Sequence, residues 1–451
     1  MKIQKQVPLT EGPILKSLTG LAVPIMISSF LGTLYNITDM AWIGLLGSKA
    51  VAAVGVGGMY VWLSQGLASL ARMGGQVHVA QCLGRGDKEQ AHRYAKTAVQ
   101  LSILLGLAFA VVSLLFTDPL VAFFKLEGAK TILDAKIYMR ITCGLILFSF
   151  LNLTLTGLYT AQGDSKTPFV ANFIGLLINL LLDPLLILGV GPFPRIEVAG
   201  AAVATVSAQF VVMFVMMVGV FRSKKEENVL KGIRLFEPFS KEELGNICKI
   251  GGPTAIQGMV YCMISMVLTR MVAAFGAEAI ATQRVGGQIE SVSWNTADGF
   301  AAALNAFVGQ NYGAKKMDRV QKGYRISFWT VAIWGALIML AFIIFPGPIA
   351  GVFFHEEKAM EIAISYLIII GFSEAFMCVE LMTIGALSGL GKTKLCSVIS
   401  ITATSMRIPL AMLLSRTSLG LDGIWWALTL TSVAKGIIFY LTFRYQMREK
   451  C

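Results

Sequence analysis

Residues 97–117 read TAVQLSILLGLAFAVVSLLFT, a run with no acid, lysine or arginine. At 1.5 Å per residue such a run is about 30 Å long as a helix, the thickness of a bilayer's hydrocarbon core. Comparable apolar stretches recur outward in both directions, near 17–44, 50–80, 132–160, 168–190, 199–221, 247–273, 279–309, 324–347, 360–388, 395–416 and 421–443, making twelve with the first. Hydrophobic residues make up 55% of the chain and charged residues only 14%, where soluble domains carry about a quarter. The sequence therefore predicts an all-α polytopic membrane protein of twelve transmembrane helices.

Charge placement sets the expected orientation. Twenty-four Lys and Arg fall in the amino-terminal tail, the even-numbered loops and the carboxy-terminal tail. Seven fall on the other side: Lys49, Lys125, Lys130, Lys136, Arg195, Lys358 and Arg416. The positive-inside rule then puts both termini in the cytoplasm, which an even number of spans requires. Topology accounts for the net charge of +12, and a nucleic-acid role is not expected. The segment before Leu18 carries Lys2 and Lys5 without an apolar core or cleavage site, so it reads as a cytoplasmic tail of a multi-pass cell-membrane protein. The seven cysteines are scattered singly and suggest neither a disulfide framework nor a zinc site.

The longest polar interruption, RSKKEENVLKGIRLFEPFSKEEL from Arg222 to Leu244, lies near the middle of the chain. Aligning Pro24 with Pro253 at an offset of 229 runs without a gap to Gly84 and Gly313, with 13 of 61 positions identical. Gly47, Val56, Gly57, Gly58, Gln81 and Gly84 thereby meet Gly276, Val285, Gly286, Gly287, Gln310 and Gly313, and GLYTAQGDSK (157–166) later meets GALSGLGKTK (385–394). A duplicated six-span unit explains this. The expected organisation is an amino-terminal lobe over 1–221, a cytoplasmic linker over 222–246, a carboxy-terminal lobe over 247–443 and a tail over 444–451. Six spans per half make the two lobes pseudo-symmetric about an axis along the membrane normal, around a central cleft.

A charge within hydrocarbon costs at least about 2.5–3.5 kcal/mol on insertion scales, so ionisable residues inside the spans mark function. In the first half these are Asp39, in YNITDMAWIG late in span one, and Asp183, in NLLLDPLLIL late in span five. Both spans run outward, which sets both carboxylates about 10 Å below the outer end. Tyr35 and Asn36 stand one turn before Asp39, Asn179 one turn before Asp183, and Thr205 in span six, a polar lining for an ion or proton. Pro184 and nearby glycines suggest bending. The second half has Leu268 where Asp39 would repeat, and carries Glu290, Asp298, Glu374, Glu380, Arg407 and Lys435 instead. Glu290, Glu374 and Lys435 fall near mid-span, either as a substrate or ion cluster or with Lys435 neutralising one glutamate.

Met213, Met216 and Met217 recur at helical spacing, which suits either adaptable binding or core filling. His78 and His355 fall near opposite membrane faces and His92 in a loop. No metal spacing, nucleophile triad or phosphate-cradling loop is present in the sequence. An enzyme is therefore not expected, nor any cofactor or bound metal beyond a coupling ion.

Together, AVPIM with YNITDMAWIGLLGSKAVAAVGV, GLYTAQGDSKTP, NLLLDPLLILG, RVGGQIES, AFVGQNYGA and GALSGLGKTK make the chain resemble the multidrug and toxic compound extrusion (MATE) family of the MOP flippase superfamily along nearly its whole length. The resemblance implies two six-helix lobes and export of organic, often cationic molecules by H⁺ or Na⁺ antiport through alternating access. It also implies a cation or proton site at Asp39 with Tyr35 and Asn36, Asn179, Asp183 and Thr205, with Na⁺ at Asp39 and Asp183 if sodium is the coupling ion. Another branch uses acids of spans seven and ten. Here Glu380 suits span ten, but the seventh span around Gln257 and Tyr261 has no acid, which leaves Glu290, Glu380, Glu374 and Lys435 as secondary candidates. A lipid-linked saccharide flippase of the same superfamily is the alternative, with Arg72, Arg284 and Arg407 as its basic groups. The expected partners are small organic molecules and membrane lipid, and the expected form is a monomer.

Overall fold

The computed structural model describes residues 7–189, 194–223, 228–235, 237–238, 240–354 and 356–448. The first half contains α1 (Ile14–Gly44), α2 (Ser48–Arg85), α3 (Lys88–Leu115), α4 (Thr117–Ala122), α5 (Ala129–Gly144), α6 (Leu147–Ala161), α7 (Lys166–Ile187) and α8 (Glu197–Arg222). The second contains α9 (Lys241–Ala273), α10 (Ala277–Gly313), α11 (Met317–Ile344), α12 (Pro346–Gly351), α13 (Glu357–Gly371), α14 (Glu374–Gly389), α15 (Thr393–Ser405), α16 (Arg407–Leu414) and α17 (Leu421–Arg448). Among the described residues nine helices cross by length and apolarity, with Thr393–Leu414 counted as one, and two bent pairs bring the number to eleven. The twelfth is α10, 37 residues long, whose apolarity is diluted by Glu278, Arg284, Glu290 and Asp298. Twelve spans in two lobes match the expectation.

Two spans expected as single stretches are broken. α5 and α6 meet at 43°, and α13 and α14 at 50°. Each break follows a glycine, Gly144 or Gly371, whose missing side chain admits Leu114 or Phe342 from the neighbouring span. The second break puts Glu374 in the first turn of a new helix, where free N–H groups favour an acid.

The basic segments 85–96 and 315–325, expected as loops, are mostly helix. α2 ends at a left-handed Gly86 (φ 80°), Asp87 N–H donates to the Cys82 carbonyl at 3.0 Å, and the Asp87 side chain accepts from Gln90 N–H at 2.9 Å. Two residues complete the turn. His92 consequently lies within α3, its Nδ1 2.7 Å from the Val229 carbonyl. The same turn recurs 229 residues on: Lys315 takes φ 59° and Lys316 N–H donates to the Asn311 carbonyl at 2.9 Å. Backbone geometry thus repeats where the side chains have diverged.

The duplication also reaches the packing. A Cβ on Gly57 would strike the Tyr138 ring, and one on Gly286 the Tyr366 ring. These glycines, one in each half, seat a buried tyrosine of the following broken span against the long second helix. The next glycine in each half, Gly58 or Gly287, has nothing within 4 Å of such a Cβ.

The described residues form two compact units, one lying within 1–7 and 27–258, the other within 8–26 and 259–451. They differ from a division at the 222–246 segment because α1 and α9 each change unit just after their internal prolines, Pro24 and Pro253. Within the second unit α11 shows a stripe of Trp329, Ile333, Leu337, Leu340 and Ile344, each 51–59% exposed. Spacings of three and four place these side chains on one helix face. An apolar face of that length is a liability in water and suits a chain embedded in lipid.

The glycine pairs carry a prediction of opposite sign at adjacent positions. Gly57→Ala and Gly286→Ala should each destabilise the detergent-solubilised protein by about 1–3 kcal/mol through overpacking. Gly58→Ala and Gly287→Ala should be neutral or stabilising by up to about 1 kcal/mol, from helix propensity. Thermal unfolding measures all four, and equal effects at 57 and 58 would refute the seating role.

Candidate functional site

In the first unit, α1 contributes Tyr35 and Asp39 one turn apart, and α7 contributes Asn179 and Asp183 with the same spacing. Asp39 is 7% exposed, Asn179 1% and Asp183 0%. Asn179 Nδ2 donates to Asp183 Oδ1 at 3.2 Å, fixing that carboxylate. The other oxygen, Asp183 Oδ2, joins Asp39 Oδ1 and Asn179 Oδ1 as buried atoms without a hydrogen-bond partner among the described residues. Asp39 and Asp183 lie within electrostatic reach of one another, and Tyr35 with Thr205 of α8 stands beside them. The hydroxyls of Tyr35 and Thr205 are buried next to one another, and neither makes a hydrogen bond of normal length and angle among the described residues. Asn36 is exposed, unlike the other five expected residues.

This arrangement gathers oxygen acceptors around two carboxylates. Neither carboxylate takes part in an ion pair among the described residues. Buried oxygens of this kind are satisfied by a proton or by a hard cation that takes oxygen ligands. Tyr138 of α5, 6% exposed, faces the same carboxylates and Thr205. Sequence reading missed it. Its signal was the repeat, since Gly57 and Gly286 match at an offset of 229 while Tyr138 and Tyr366 match at 228.

The second unit solves the burial of charge differently. Lys435 of α17 pairs with Glu380 of α14 at 2.8 Å, both side chains 6% exposed. The glutamate that Lys435 neutralises is thus Glu380, not Glu290 or Glu374, and Glu374 leaves α14 about 120° from Glu380 around its axis. Arg407 donates from Nε to Thr431 Oγ1 at 3.0 Å and from Nη2 to Ser432 Oγ at 2.9 Å, and stands over the Tyr261 ring at 6.0 Å. Tyr366 donates to Glu290 Oε2 at 3.3 Å. Glu374, fully buried, has no hydrogen-bond partner for either oxygen among the described residues, and Glu290 and Ser293 are the polar groups beside it. Glu290, Glu374 and Tyr366 therefore form a second acidic cluster, and Arg407 lies within electrostatic reach of both Glu290 and Lys435.

The remaining expectations resolve individually. Arg72 packs its stem beside Gly157, Arg284 is exposed, and Asp298 is half-buried on α10. Met216 is fully buried with Met213 and Met217 packed on the same core, which places the methionine stripe in the interior. His78 stacks on Tyr94 at 4.5 Å, and His355 lies outside the described residues. The six described cysteines are free, and no group of three or more metal-ligating side chains occurs among the described residues.

The MatE family model matches residues 24–185 and 253–413, one match in each half and together most of the chain. The chain belongs to the MatE family. It is 28% identical to the probable multidrug resistance protein NorM of Thermotoga maritima, over 98% of this chain and 95% of that protein. It is 25% identical to the FAD transporter of Shewanella oneidensis, over 96% and 95%. Among solved structures, an outward-facing multidrug resistance MATE family transporter of the MOP superfamily superposes with a TM-score of 0.90 at 24% identity, covering 100% of this chain and 99% of that one. A MOP superfamily transporter from Pyrococcus furiosus also gives 0.90 at 24% identity, covering 99% of each. Membership and shared fold identify the chain as a multi-pass MATE protein.

The Lys435–Glu380 pair yields a prediction for this MatE chain. Removing one partner leaves an uncompensated buried charge, so Lys435→Met alone should cost about 3–5 kcal/mol, and the double variant Lys435→Met/Glu380→Leu should recover most of it. Thermal unfolding of wild type, Lys435→Met, Glu380→Leu and the double variant measures this, and strictly additive losses would show that the two groups do not depend on one another.

Proposed function

We propose that the protein is a secondary-active exporter of organic, often cationic small molecules, coupled to inward movement of H⁺ or Na⁺ by alternating access. The observation that carries the reading is the pair of buried carboxylates, Asp39 and Asp183, with unshared oxygens and no basic partner among the described residues. A site of this kind takes up one positive charge more readily than none. When a proton or Na⁺ holds that charge the lining oxygens are satisfied. Deprotonation or ion release restores the negative charge and favours loading of a cationic substrate.

In this reading Asn179 fixes Asp183 through its 3.2 Å hydrogen bond and leaves its own oxygen for the ion. Tyr35, Tyr138 and Thr205 supply the remaining polar lining, and Asn36 stands on an exposed part of α1. The Glu290–Tyr366–Glu374 cluster is a second candidate for ion or substrate contact, and the Glu380–Lys435 pair is structural. The chain acts as a transporter, not an enzyme, as a monomer in the cell membrane, with both termini in the cytoplasm and no cofactor beyond its coupling ion. Curated relatives named as multidrug resistance and multidrug export proteins support the substrate class.

Efflux of a fluorescent organic cation from proteoliposomes, first under a proton gradient and then under a sodium gradient, tests this. Wild type should export under one gradient, and Asp39→Asn should fall to the level of empty liposomes. Its thermal stability should be retained or raised, because the substitution removes a buried charge. Full gradient-driven export by Asp39→Asn at equal protein content would remove the coupling role. Export by wild type under neither gradient would favour lipid-linked saccharides as substrates.

A further inference from the structure

In the second unit, where α11 begins and α17 finishes, a groove of about 540 Å³ opens between the two helices, with α14 packed against both. Its floor is aromatic. Tyr324 and Phe443 stack with ring centres 3.6 Å apart and planes at 14°, and the Tyr324 hydroxyl is 3.0 Å from Thr383 Oγ1 on α14. Phe328 extends this floor, 5.1 Å from Tyr440 and edge-on to Trp329 at 5.5 Å. Both ring layers are built into the helix packing.

The rim is basic. Arg325 from α11 and Arg444 and Arg448 from α17 line the groove and are exposed. Arg444 lies over the Tyr440 ring at 5.8 Å and reaches its hydroxyl at 3.5 Å. Among the described residues no acid lines the groove and none of these three guanidiniums enters an ion pair. Two neighbouring cations are already engaged: Lys316 donates to the Thr10 carbonyl at 3.0 Å, and Arg319 to the Leu9, Gly12 and Glu11 carbonyls at 3.3, 2.8 and 2.7 Å. The groove arginines differ in having charge to spare.

The surroundings define what complements them. Trp and Tyr prefer the bilayer–water boundary, so Trp329 and Tyr440 place the groove at headgroup level. From Trp329 the exposed stripe of Ile333, Leu337, Leu340 and Ile344 runs into the hydrocarbon for about 22 Å at 1.5 Å per residue. An occupant that uses both features has an anionic head and long apolar chains in that order. A free phosphate would leave the stripe unused, and a zwitterionic headgroup would bring its own cation against three arginines.

We propose that this groove binds one anionic phospholipid, its phosphate held by Arg325, Arg444 and Arg448, its glycerol region on the Phe328–Tyr440–Trp329 surface and an acyl chain along the α11 stripe. Guanidinium forks match phosphate oxygens two at a time, and basic pockets between spans are a recurrent form of headgroup recognition. The site is independent of the coupling acids of the first unit.

Native mass spectrometry of the full-length protein, released from detergent with phosphatidylglycerol or phosphatidylcholine added, tests this directly. Wild type should retain one phosphatidylglycerol per chain in preference to phosphatidylcholine, and inorganic phosphate at equal concentration should not displace it. The Arg325→Gln/Arg444→Gln/Arg448→Gln variant should lose that preference by about tenfold or more, since each basic group beside an anionic headgroup contributes about fivefold. Replacing exposed Arg85, Lys166 and Arg222 by Gln removes the same charge elsewhere and should leave the preference intact, and lysine at the three groove positions should restore part of it. Equal loss in both charge-removal variants would reduce the effect to net charge. Undiminished retention by the groove variant, no headgroup preference in wild type, or displacement by free phosphate would each overturn the assignment.

Discussion

The cost of burying charge in hydrocarbon is the constraint on which the rest of this structure depends. It sorts the ionisable residues of the spans into groups by how each is satisfied. Glu380 and Lys435 neutralise one another at 2.8 Å. Arg407 is held by the hydroxyls of Thr431 and Ser432. Asp39 with Asp183, and Glu290 with Glu374, lack a direct basic partner among the described residues and keep buried oxygens unshared, Glu290 excepted through Tyr366. Paired charges stabilise or specify a packing. Unpaired carboxylates that share a space respond to a cation; the proposed coupling site rests on the first unit because Arg407 lies within electrostatic reach of Glu290, whereas no described cation acts on Asp39 or Asp183.

The duplication explains how such an asymmetric chemistry is supported. The left-handed turn residue, the backbone bond that follows it, the short helices α4 and α12 and the glycine-seated tyrosines occur in both halves. Chemistry does not follow this symmetry. Position 268, the counterpart of Asp39, is a leucine 3% exposed within an apolar cluster. The same scaffold position is thus a buried acid in one unit and core in the other. Two copies of one frame have been free to specialise because turns and close packing, not the acids, hold each copy together.

Much of the fold was legible in the sequence because a bilayer demands about twenty apolar residues per span and twelve such runs are present. Charge pattern made α10 the weakest of these by apolarity, and its acids are also among the functional candidates. The breaks at Gly144 and Gly371 were not legible, since each depends on a side chain of another span, Leu114 or Phe342. Helix ends at 85 and 88 were missed because polar residues beyond the bilayer continue the helix while apolarity stops. Of the site, Asp39, Asp183, Asn179, Tyr35 and Thr205 followed from helical spacing and motif, and the structure gathers them. Asn36, one residue from Tyr35, faces elsewhere, a distinction of about 100° that spacing alone did not weigh. Tyr138 carries no charge and lies in a mixed segment, so its match with Tyr366 gains meaning only from its seat against Gly57. Partner choice for Lys435 required the facing of α14 against α17.

The central claim is that Asp39 and Asp183 exchange a coupling cation for a cationic substrate. The most direct test needs no gradient: titrate the purified protein in weakly buffered detergent solution with an organic cation while recording protons released with a pH indicator and Na⁺ released with a sodium electrode. The account predicts stoichiometric release of one of these ions on binding by wild type and none from the Asp39→Asn/Asp183→Asn variant. Equal release from the variant, or substrate binding by wild type without release of either ion, would contradict it.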